Sequence, residues 1–214
     1  MLRRLVGSEM CIRDSNYPRI GGVKRDLPVG FADRARAKIK LFENRIDEYE
    51  MMLDESTIWL VRLQGVGYAR AEDMVNAGVS GPNVRAAGVN YDVRWAHPYS
   101  VYDQVDWEPA VEKPTSVKGA DCYDRYRVRM EEMVQSCKMV LDALDKIPGG
   151  ANTHYNTGDE MIITKAPTRA PEGATGFSNY ECTRGASQFY IQGGGDGRGK
   201  NPYRLSIRSP MFIT

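Results

Sequence analysis

The segments SGPNVRAAGVNYDVRWAHPYSVYD (residues 80–103) and DCYDRYRVRMEEM (residues 121–133) carry the most information about the fold of this chain. In the first, charged residues alternate with aromatic residues and glycines without a regular period, which predicts ordered, irregular backbone over residues 79–118. The second starts an apolar stripe at helical spacing, and Pro148 with two glycines follows it. This pattern predicts a helix from about Asp121 to Lys146, with the stripe Cys122, Tyr126, Met130, Met133, Cys137, Val140 and Leu144.

Another apolar stripe at helical spacing predicts a long helix after the loop of residues 21–28. Its members are Phe31, Ala35, Ile39, Phe42, Ile46, Tyr49 and Leu53. Because the two stripes are similar, the long helices are expected to pack antiparallel, as in a bundle. Between them, residues 71–77 predict a short helix that Gly78 ends, and residues 59–66 are interpreted as a short strand or extended turn.

The C-terminal part changes to strand patterns. Short strands are predicted at residues 180–184 and 188–191, and a third where Tyr203, Leu205 and Ile207 alternate with polar residues. The glycine-rich loop of residues 193–202 is expected to join two of these strands as a hairpin. The predicted fold class is therefore α+β: mainly helical, with two long bundle-like helices and a small C-terminal antiparallel hairpin or sheet.

Four regions are expected along the chain. Residues 1–15 read like the in-frame translation of a sequencing-library adapter and are left out of the fold interpretation. Residues 16–150 form the helical region, residues 151–176 a linker or loop rich in Gly, Pro and Thr, and residues 177–214 the hairpin region.

Composition excludes several classes of function. The 214 residues carry a net charge of +1, which argues against nucleic-acid binding through a dominating basic face. There is no apolar run of membrane-spanning length. Outside residues 1–15 the cysteines are Cys122, Cys137 and Cys182, without a C-x-x-C pair, and the two histidines His97 and His154 are far apart in sequence. Reduced thiols and no resident zinc or iron–sulfur site are expected.

Two clusters of residues invite a functional interpretation. Residues 194–200, GGDGRGK, match the spacing of a phosphate-binding loop, but Asn201 and Pro202 follow instead of Ser or Thr and a helix, so a hairpin loop is favoured. A dense mixed-charge set is interpreted as structural ion pairs, with a charged lining near a redox centre or a proton route as the alternative. The set is Asp92, Arg94, Asp103, Asp124, Arg125, Arg127 and Arg129.

Individual residues receive structural interpretations. Cys122 and Cys137 are expected to act as small buried apolar residues, and the pair Glu131-Glu132 to lie on a solvated face. His97 is interpreted as a hydrogen-bonded loop residue rather than a proton carrier, and His154 as exposed. The four tyrosines near the irregular segment and the second long helix are expected to be packing anchors with a polar tip: Tyr99, Tyr102, Tyr123 and Tyr126.

Six stretches together resemble one family of NADH-quinone oxidoreductase (respiratory complex I) subunits, the hydrogenase-large-subunit-like one whose member is designated D. They are residues 16–28 (NYPRIGGVKRDLP), 65–67, 78–82, 85–103, 121–125 (DCYDR) and 202–212 (PYRLSIRSPMF). The resemblance implies a fold like that of the nickel–iron hydrogenase large subunit. It also implies a subunit that cradles the terminal iron–sulfur cluster of a neighbouring subunit and forms part of the quinone site, in electron transfer from NADH to quinone coupled to proton translocation.

The resemblance also sets what this chain is expected to lack. The quinone-contacting His and Tyr of the family would lie upstream and a C-terminal tail beyond Thr214, so no catalytic, cofactor-binding or metal-binding residue is assigned, and the chain alone is expected to be inactive. In residues 181–186, ECTRGA, the family usually has EAPRGE, so Thr183 replaces Pro and Ala186 replaces an acid.

The resemblance implies partners as well. These are the other peripheral-arm subunits, especially the iron–sulfur subunit, and membrane-arm subunits, at the cytoplasmic face of the membrane; NAD would act only through the whole complex. Two alternatives remain: a related subunit of a membrane-bound hydrogenase or deazaflavin-dependent dehydrogenase, and a non-catalytic docking scaffold.

Overall fold

A computed structural model describes residues 18–19, 22–23, 27–147, 171–194 and 201–210 of the chain. Two short strands, β1 (Pro18–Arg19) and β2 (Gly22–Val23), pair antiparallel. The helices are α1 (Phe31–Asp54), α2 (Thr57–Leu63), α3 (Ala71–Asn76), α4 (Pro82–Ala86), α5 (Val93–Ala96) and α6 (Cys122–Asp145). The remaining strands are β3 (Thr175–Cys182), β4 (Gly185–Gly193) and β5 (Pro202–Arg208). These residues form an α+β fold that is mainly helical, which confirms the predicted class.

The two long helices α1 and α6 pack against each other, as their apolar stripes predict. Their seam contains the buried Ile46, Met130 and Cys137. Arg36 near the start of α1 pairs with Asp145 at the end of α6 at 2.6 Å. At the other end, the hydroxyl of Tyr123 donates to Asp54 at 3.3 Å. The start of each helix therefore lies beside the end of the other, so the pair is antiparallel.

A capping box sets the first residue of α6. The Asp121 side chain accepts hydrogen bonds from the backbone N–H groups of Tyr123 and Asp124, and the Asp124 carboxylate accepts from the Asp121 N–H in return. These bonds satisfy N–H groups that have no partner inside the helix. The predicted helix from about Asp121 to Lys146 is thus confirmed, with Asp121 and Lys146 as its caps.

The interpretation of residues 59–66 as a strand or extended turn is wrong. Helix α2 covers residues 57–63, and the Ser56 hydroxyl caps it by accepting from the Trp59 N–H at 3.4 Å. Trp59 packs edge-to-face on Tyr126 of α6, with ring centroids 5.7 Å apart. Tertiary packing and the cap decide the structure here, against the strand preference of its aromatic and β-branched residues.

A second apolar core lies under the irregular segment. It joins Met74 of α3, Val84 and Ala86 of α4, Ala120 just before α6, and Val128 of α6. Within residues 79–118, α4 and α5 are short, and the rest is irregular, as predicted. The segment is fixed by the core beneath it, which positions its charged side chains.

Strands β3, β4 and β5 form one antiparallel sheet in that order. Opposite pairs include Glu181 with Ala186 and Gln188 with Arg208. All three predicted strands are present, but β3 begins at Thr175, inside the predicted linker, and Arg184 lies in the turn rather than in a strand. The strands β4 and β5 pair as a hairpin, while residues 195–200 of the loop between them lie outside the described part of the chain.

The turn between β3 and β4 presses against the start of α4. Gly81 (φ 80°) and Gly185 (φ 126°) both have backbone angles that favour glycine. A Cβ added at Gly81 would lie 2.6 Å from the backbone nitrogen of Gly185, and one at Gly185 would lie 2.6 Å from Ser80 Oγ. The sheet therefore docks on the helical part by the end that carries Glu181. None of the helices in the described ranges has the length and hydropathy needed to cross a bilayer.

Candidate functional site

A buried cluster of charges joins three helical segments to the sheet. At its centre is Arg85 of α4, whose side chain is 2% exposed. Its guanidinium faces three carboxylates: Asp92 at 3.1 Å, Glu181 at 3.1 Å, and Glu132, which it contacts closely. It also donates to the backbone oxygen of Tyr91 at 3.1 Å. We call Arg85, Asp92, Arg94, Glu132 and Glu181 the buried charge cluster.

The second cation of the cluster is Arg94. It donates to both carboxylate oxygens of Asp92, at 3.0 and 2.7 Å, in a two-bond arrangement. Its guanidinium also lies over the ring of Trp107 at 4.6 Å and that of Tyr102 at 5.6 Å from the ring centroids. Although burial lowers it, the bond to Asp92 raises the pKa of Arg94 above its ordinary value. Arg94 is therefore held as a cation between a carboxylate and aromatic faces.

Glu181 is the carboxylate whose environment most disfavours its charge. Burial raises the pKa of Glu181 above 4.5, and repulsion from Asp92 raises it further, against the attraction of Arg85. Its side chain is 3% exposed, and its second oxygen accepts a bond from the Val93 N–H at 3.3 Å. The Tyr99 hydroxyl accepts a bond from the Glu181 backbone N–H at 3.1 Å. With three acids and two bases, the cluster has one carboxylate in excess, which suits it to hold a proton.

The structure divides the mixed-charge set that the sequence singles out. Asp92 and Arg94 lie in the buried charge cluster, whereas Asp124 serves the cap of α6 and accepts from the Thr115 hydroxyl at 2.5 Å. Arg127 pairs with Glu112 at 3.0 Å on the surface, and Asp103 is exposed. The interpretation as structural ion pairs thus holds for part of the set, while Arg125 and Arg129 bind backbone and amide oxygens instead.

The cysteines and histidines lie in different settings. Cys137 is buried in the seam of the long helices, and burial raises the pKa of its thiol, as a small apolar residue requires. Cys122 is half-buried, and Arg125 donates to its sulfur at 3.2 Å, so it is not simply an apolar residue. The ring of the exposed His97 has no hydrogen bond to any residue that the structure describes. His154 lies outside those residues.

The tyrosines are packing residues, and most have a partner for the hydroxyl or ring. Tyr99 and Tyr102 pack edge-to-face at 5.1 Å, and Tyr123 lies 5.7 Å from Tyr126. The Tyr126 hydroxyl is buried without a hydrogen bond to the described residues. Burial, together with the nearby Asp54 and Glu50, raises the pKa of Tyr126 to about 12.

An apolar cavity of about 480 Å³ lies beside the cluster, between residues 100–105 and the C-terminal half of α6. Aliphatic side chains of α6, including Met139, Val140 and Leu144, form much of its lining. Arg94 and Tyr102 supply polar groups. The cavity therefore suits an apolar group that carries a polar end.

Three members of the cluster are not identified as ion-pair residues by the sequence. Arg85 stands among valine and alanines, and that is the available signal, because a cation inside an apolar helical segment needs a buried partner. The prediction of a solvated face is wrong for Glu132 but right for its exposed neighbour Glu131. Glu181 is marked in the sequence only by the family stretch of residues 181–186.

Comparison with known proteins gives the family. The family model described as respiratory-chain NADH dehydrogenase, 49 Kd subunit, matches residues 2–214. The chain belongs to this family. A relative from Syntrophobacter fumaroxidans, named as the NADH-quinone oxidoreductase subunit with the letter D, is 39% identical over 199 residues, which are 92% of this chain and 48% of the relative. The resemblance inferred from the six stretches is thereby confirmed.

Other relatives carry similar names. A subunit of NAD(P)H-quinone oxidoreductase from Synechococcus sp. (strain JA-2-3B'a(2-13)) is 36% identical over 220 residues, 95% of this chain and 54% of the relative. A subunit of NADH-quinone oxidoreductase from Rhizobium etli is 32% identical over 231 residues, 100% of this chain and 54% of the relative. The chain spans about half the length of the curated relatives that it matches.

A resident metal does not fit the side chains of the described ranges. Within them, no group of three His, Cys, Asp or Glu side chains lies close enough together to hold a metal ion. The described cysteines, Cys122, Cys137 and Cys182, are free thiols. The part of the chain that the structure describes therefore offers no metal site of its own.

Proposed function

We propose that the chain is part of the NADH-quinone oxidoreductase subunit that cradles the terminal iron–sulfur cluster of a neighbouring subunit and forms part of the quinone site. The match of the family model to residues 2–214 carries this proposal. The names of the relatives from Syntrophobacter and Rhizobium support it, since both are subunits of an NADH-quinone oxidoreductase.

In this role the protein is a peripheral subunit at the cytoplasmic face of the membrane. Its partners are the iron–sulfur subunit that carries the terminal cluster, the other peripheral-arm subunits and the membrane-arm subunits. NAD acts through the whole complex, and quinone reduction is coupled to proton translocation. Because the quinone site is shared, the chain alone is expected to turn over no quinone, and none of its described residues is assigned a quinone contact.

The buried charge cluster supports a scaffold role for this chain. One guanidinium, Arg85, binds side chains from a loop, a long helix and the sheet, so those parts are held in one geometry. A subunit that positions a quinone beside another subunit's cluster needs such fixed walls. The fold of the whole protein is proposed to resemble the nickel–iron hydrogenase large subunit, with the apolar cavity beside Arg94 available to an apolar partner or ligand.

Isolation of the parent protein in its complex tests the proposal. The gene that extends beyond residues 1–214 is recovered, tagged and expressed in its host, and the tagged complex is purified from membranes. The expected result is co-purification of iron–sulfur and membrane subunits and inhibitor-sensitive quinone reduction by NADH. A hydrogenase-type pair of C-x-x-C motifs in the extended gene, with no activity from NADH, would overturn the proposal.

The two alternatives give different results in the same preparation. A hydrogenase or deazaflavin branch predicts electron input from dihydrogen or from a reduced deazaflavin instead of NADH. A docking scaffold predicts normal cluster spectra and normal quinone titration in complexes that lack this protein. Under the proposed function, loss of the protein abolishes quinone reduction and alters the electron paramagnetic resonance signal of the terminal cluster.

A further inference from the structure

A second recess lies outside the buried charge cluster, on the surface between α4, α6 and the turn that joins β3 to β4. It is a polar crevice of about 390 Å³ lined by Asn83, Arg129, Thr183 and Arg184. Arg125, one helical turn before Arg129, donates from its side chain to the Gly67 backbone oxygen at 2.7 Å. We call these residues the arginine crevice.

Three guanidinium groups approach one another there. Desolvation in the crevice lowers the pKa of Arg129, and the positive charges of Arg125 and Arg184 lower it further, against the attraction of Glu132. The carboxylate of Glu132 is already bound to Arg85. Among the described residues, none of the three arginines forms an ion pair. The crevice therefore holds cationic charge that is not neutralised by this part of the chain.

Neutral groups fix the cations in place. Arg129 donates to the Asn83 side-chain oxygen at 3.0 Å and to the Arg125 backbone oxygen at 2.8 Å. The close contact of Gly81 with Gly185 fixes the turn that carries Thr183 and Arg184. Bonds to neutral oxygens orient the guanidiniums without cancelling their charge, so the arrangement is formed before any anion arrives.

We propose that the arginine crevice binds one oxyanion, a carboxylate or a phosphate group. Guanidinium groups present parallel N–H donors that match the oxygens of such anions, and the Thr183 hydroxyl and the Asn83 amide can add neutral donors. An anion would relieve the repulsion among the three arginines, which the fold maintains without a compensating charge. Anion binding here does not depend on the electron-transfer role, because the crevice alone supports it.

Calorimetric titration of the full chain tests the crevice directly, with inorganic phosphate and malonate as probes at low ionic strength. The expected result is saturable binding of one anion per chain. The double variant Arg129→Gln/Arg184→Gln is expected to bind at least about tenfold more weakly, since two charge-assisted contacts are lost. The matched control is Arg34→Gln/Arg62→Gln, which removes the same charge from exposed positions on α1 and α2 and should bind as the unchanged chain does.

The results separate the sources of the anion and expose a wrong proposal. Tighter binding of malonate supports an acidic side chain of another polypeptide as the occupant, and tighter binding of phosphate supports a phosphate ester or free phosphate. If the double variant unfolds, Arg129→Lys/Arg184→Lys replaces it; retained but weaker binding by that variant supports the proposal. No saturable binding of either probe, or equal affinities for the Gln double variant and its control, would refute it.

Discussion

At the scale of single residues, Arg85 is the group whose loss should matter most. It balances carboxylates that have almost no access to water, Asp92 and Glu181, with side-chain exposures of 0% and 3%. Whether such a buried pair adds net stability depends on desolvation, but removal of one partner leaves an uncompensated buried charge. The cluster should therefore tolerate replacement of Arg85 poorly.

Arg85→Met is expected to lower the free energy of unfolding by about 3–5 kcal/mol, because it leaves the carboxylates without their central cation. Urea unfolding followed by circular dichroism measures the change. The control is Arg45→Met, which removes an exposed pair with Glu48 on α1 and should cost at most about 1 kcal/mol. Equal losses in the two variants would contradict a central role for Arg85.

Glu181→Gln tests the proton-holding property of the cluster. Since burial raises the pKa of Glu181 above 4.5, the folded chain holds this proton more tightly than the unfolded chain. The stability of the unchanged chain should therefore fall, relative to the variant, as the pH rises from 4.5 through the raised pKa. Urea unfolding over a pH series measures both slopes. A relative rise in stability over that window would show that Glu181 is not destabilised as an anion.

Sequence reasoning finds part of the cluster for a definite physical reason. Asp92 and Arg94 are two residues apart in a segment rich in charges and aromatic rings, so their pairing is local. The partners of Arg85 include residues 47 and 96 positions away, and no local pattern indicates which of many acids will meet it. Glu131 and Glu132 look alike in sequence, and the rotation of α6 alone decides that Glu132 turns inward.

At the scale of elements, the contact of the β3–β4 turn with α4 depends on two glycines. Gly81→Ala is expected to lower the free energy of unfolding by more than about 2 kcal/mol, because the new Cβ adds a backbone clash with Gly185 to the strain of a positive φ. Gly78→Ala is the control: its φ of 73° is similar, but a Cβ there meets nothing within 4 Å. It should cost only about 1–2 kcal/mol.

Thermal unfolding of both glycine variants, with the unchanged chain beside them, measures the difference. If Gly81→Ala were no worse than Gly78→Ala, the strain of the backbone angle would explain both, and the close docking of the sheet on α4 would not be needed. The comparison separates conformational strain from steric overlap, because the two sites share the first and differ in the second.

The elements themselves can be predicted to different degrees. Helices α1 and α6 follow from long apolar stripes, and Asp121 with Asp124 supplies a cap that sequence alone can indicate. Helix α2 escapes prediction because its residues 57–63, TIWLVRL, favour strands, while the contact that holds it, Trp59 on Tyr126, joins distant parts of the chain. Strand β3 is longer than its pattern predicts, since its first residues are exposed and mostly polar or small.

At the scale of the whole molecule, one face of the sheet is apolar and uncovered. Ile191, Leu205 and Ile207 lie on it with exposures of 46%, 52% and 55%. In the described sheet, β3 and β5 are the edges, and such edges and apolar faces promote association. The isolated chain is therefore expected to self-associate.

Leu205→Ser/Ile207→Ser should reduce this association and change the free energy of unfolding by only about 0.5 kcal/mol per site, since both side chains are half-exposed. Sedimentation velocity measures the association, and urea unfolding measures the stability. The control Val128→Ser alters a fully buried core residue and should destabilise the chain strongly. Unchanged association in the sheet variant would rule out this face as the contact.

The position of Arg85 in the chain also has a consequence during synthesis. Its last carboxylate, Glu181, is made 96 residues after it. At the usual speed of translation, the ribosome needs roughly 5–20 seconds to add that length. During this interval the nascent helical part lacks the strand that seals its charged interior, so water and chaperones can reach the guanidinium until the sheet has emerged.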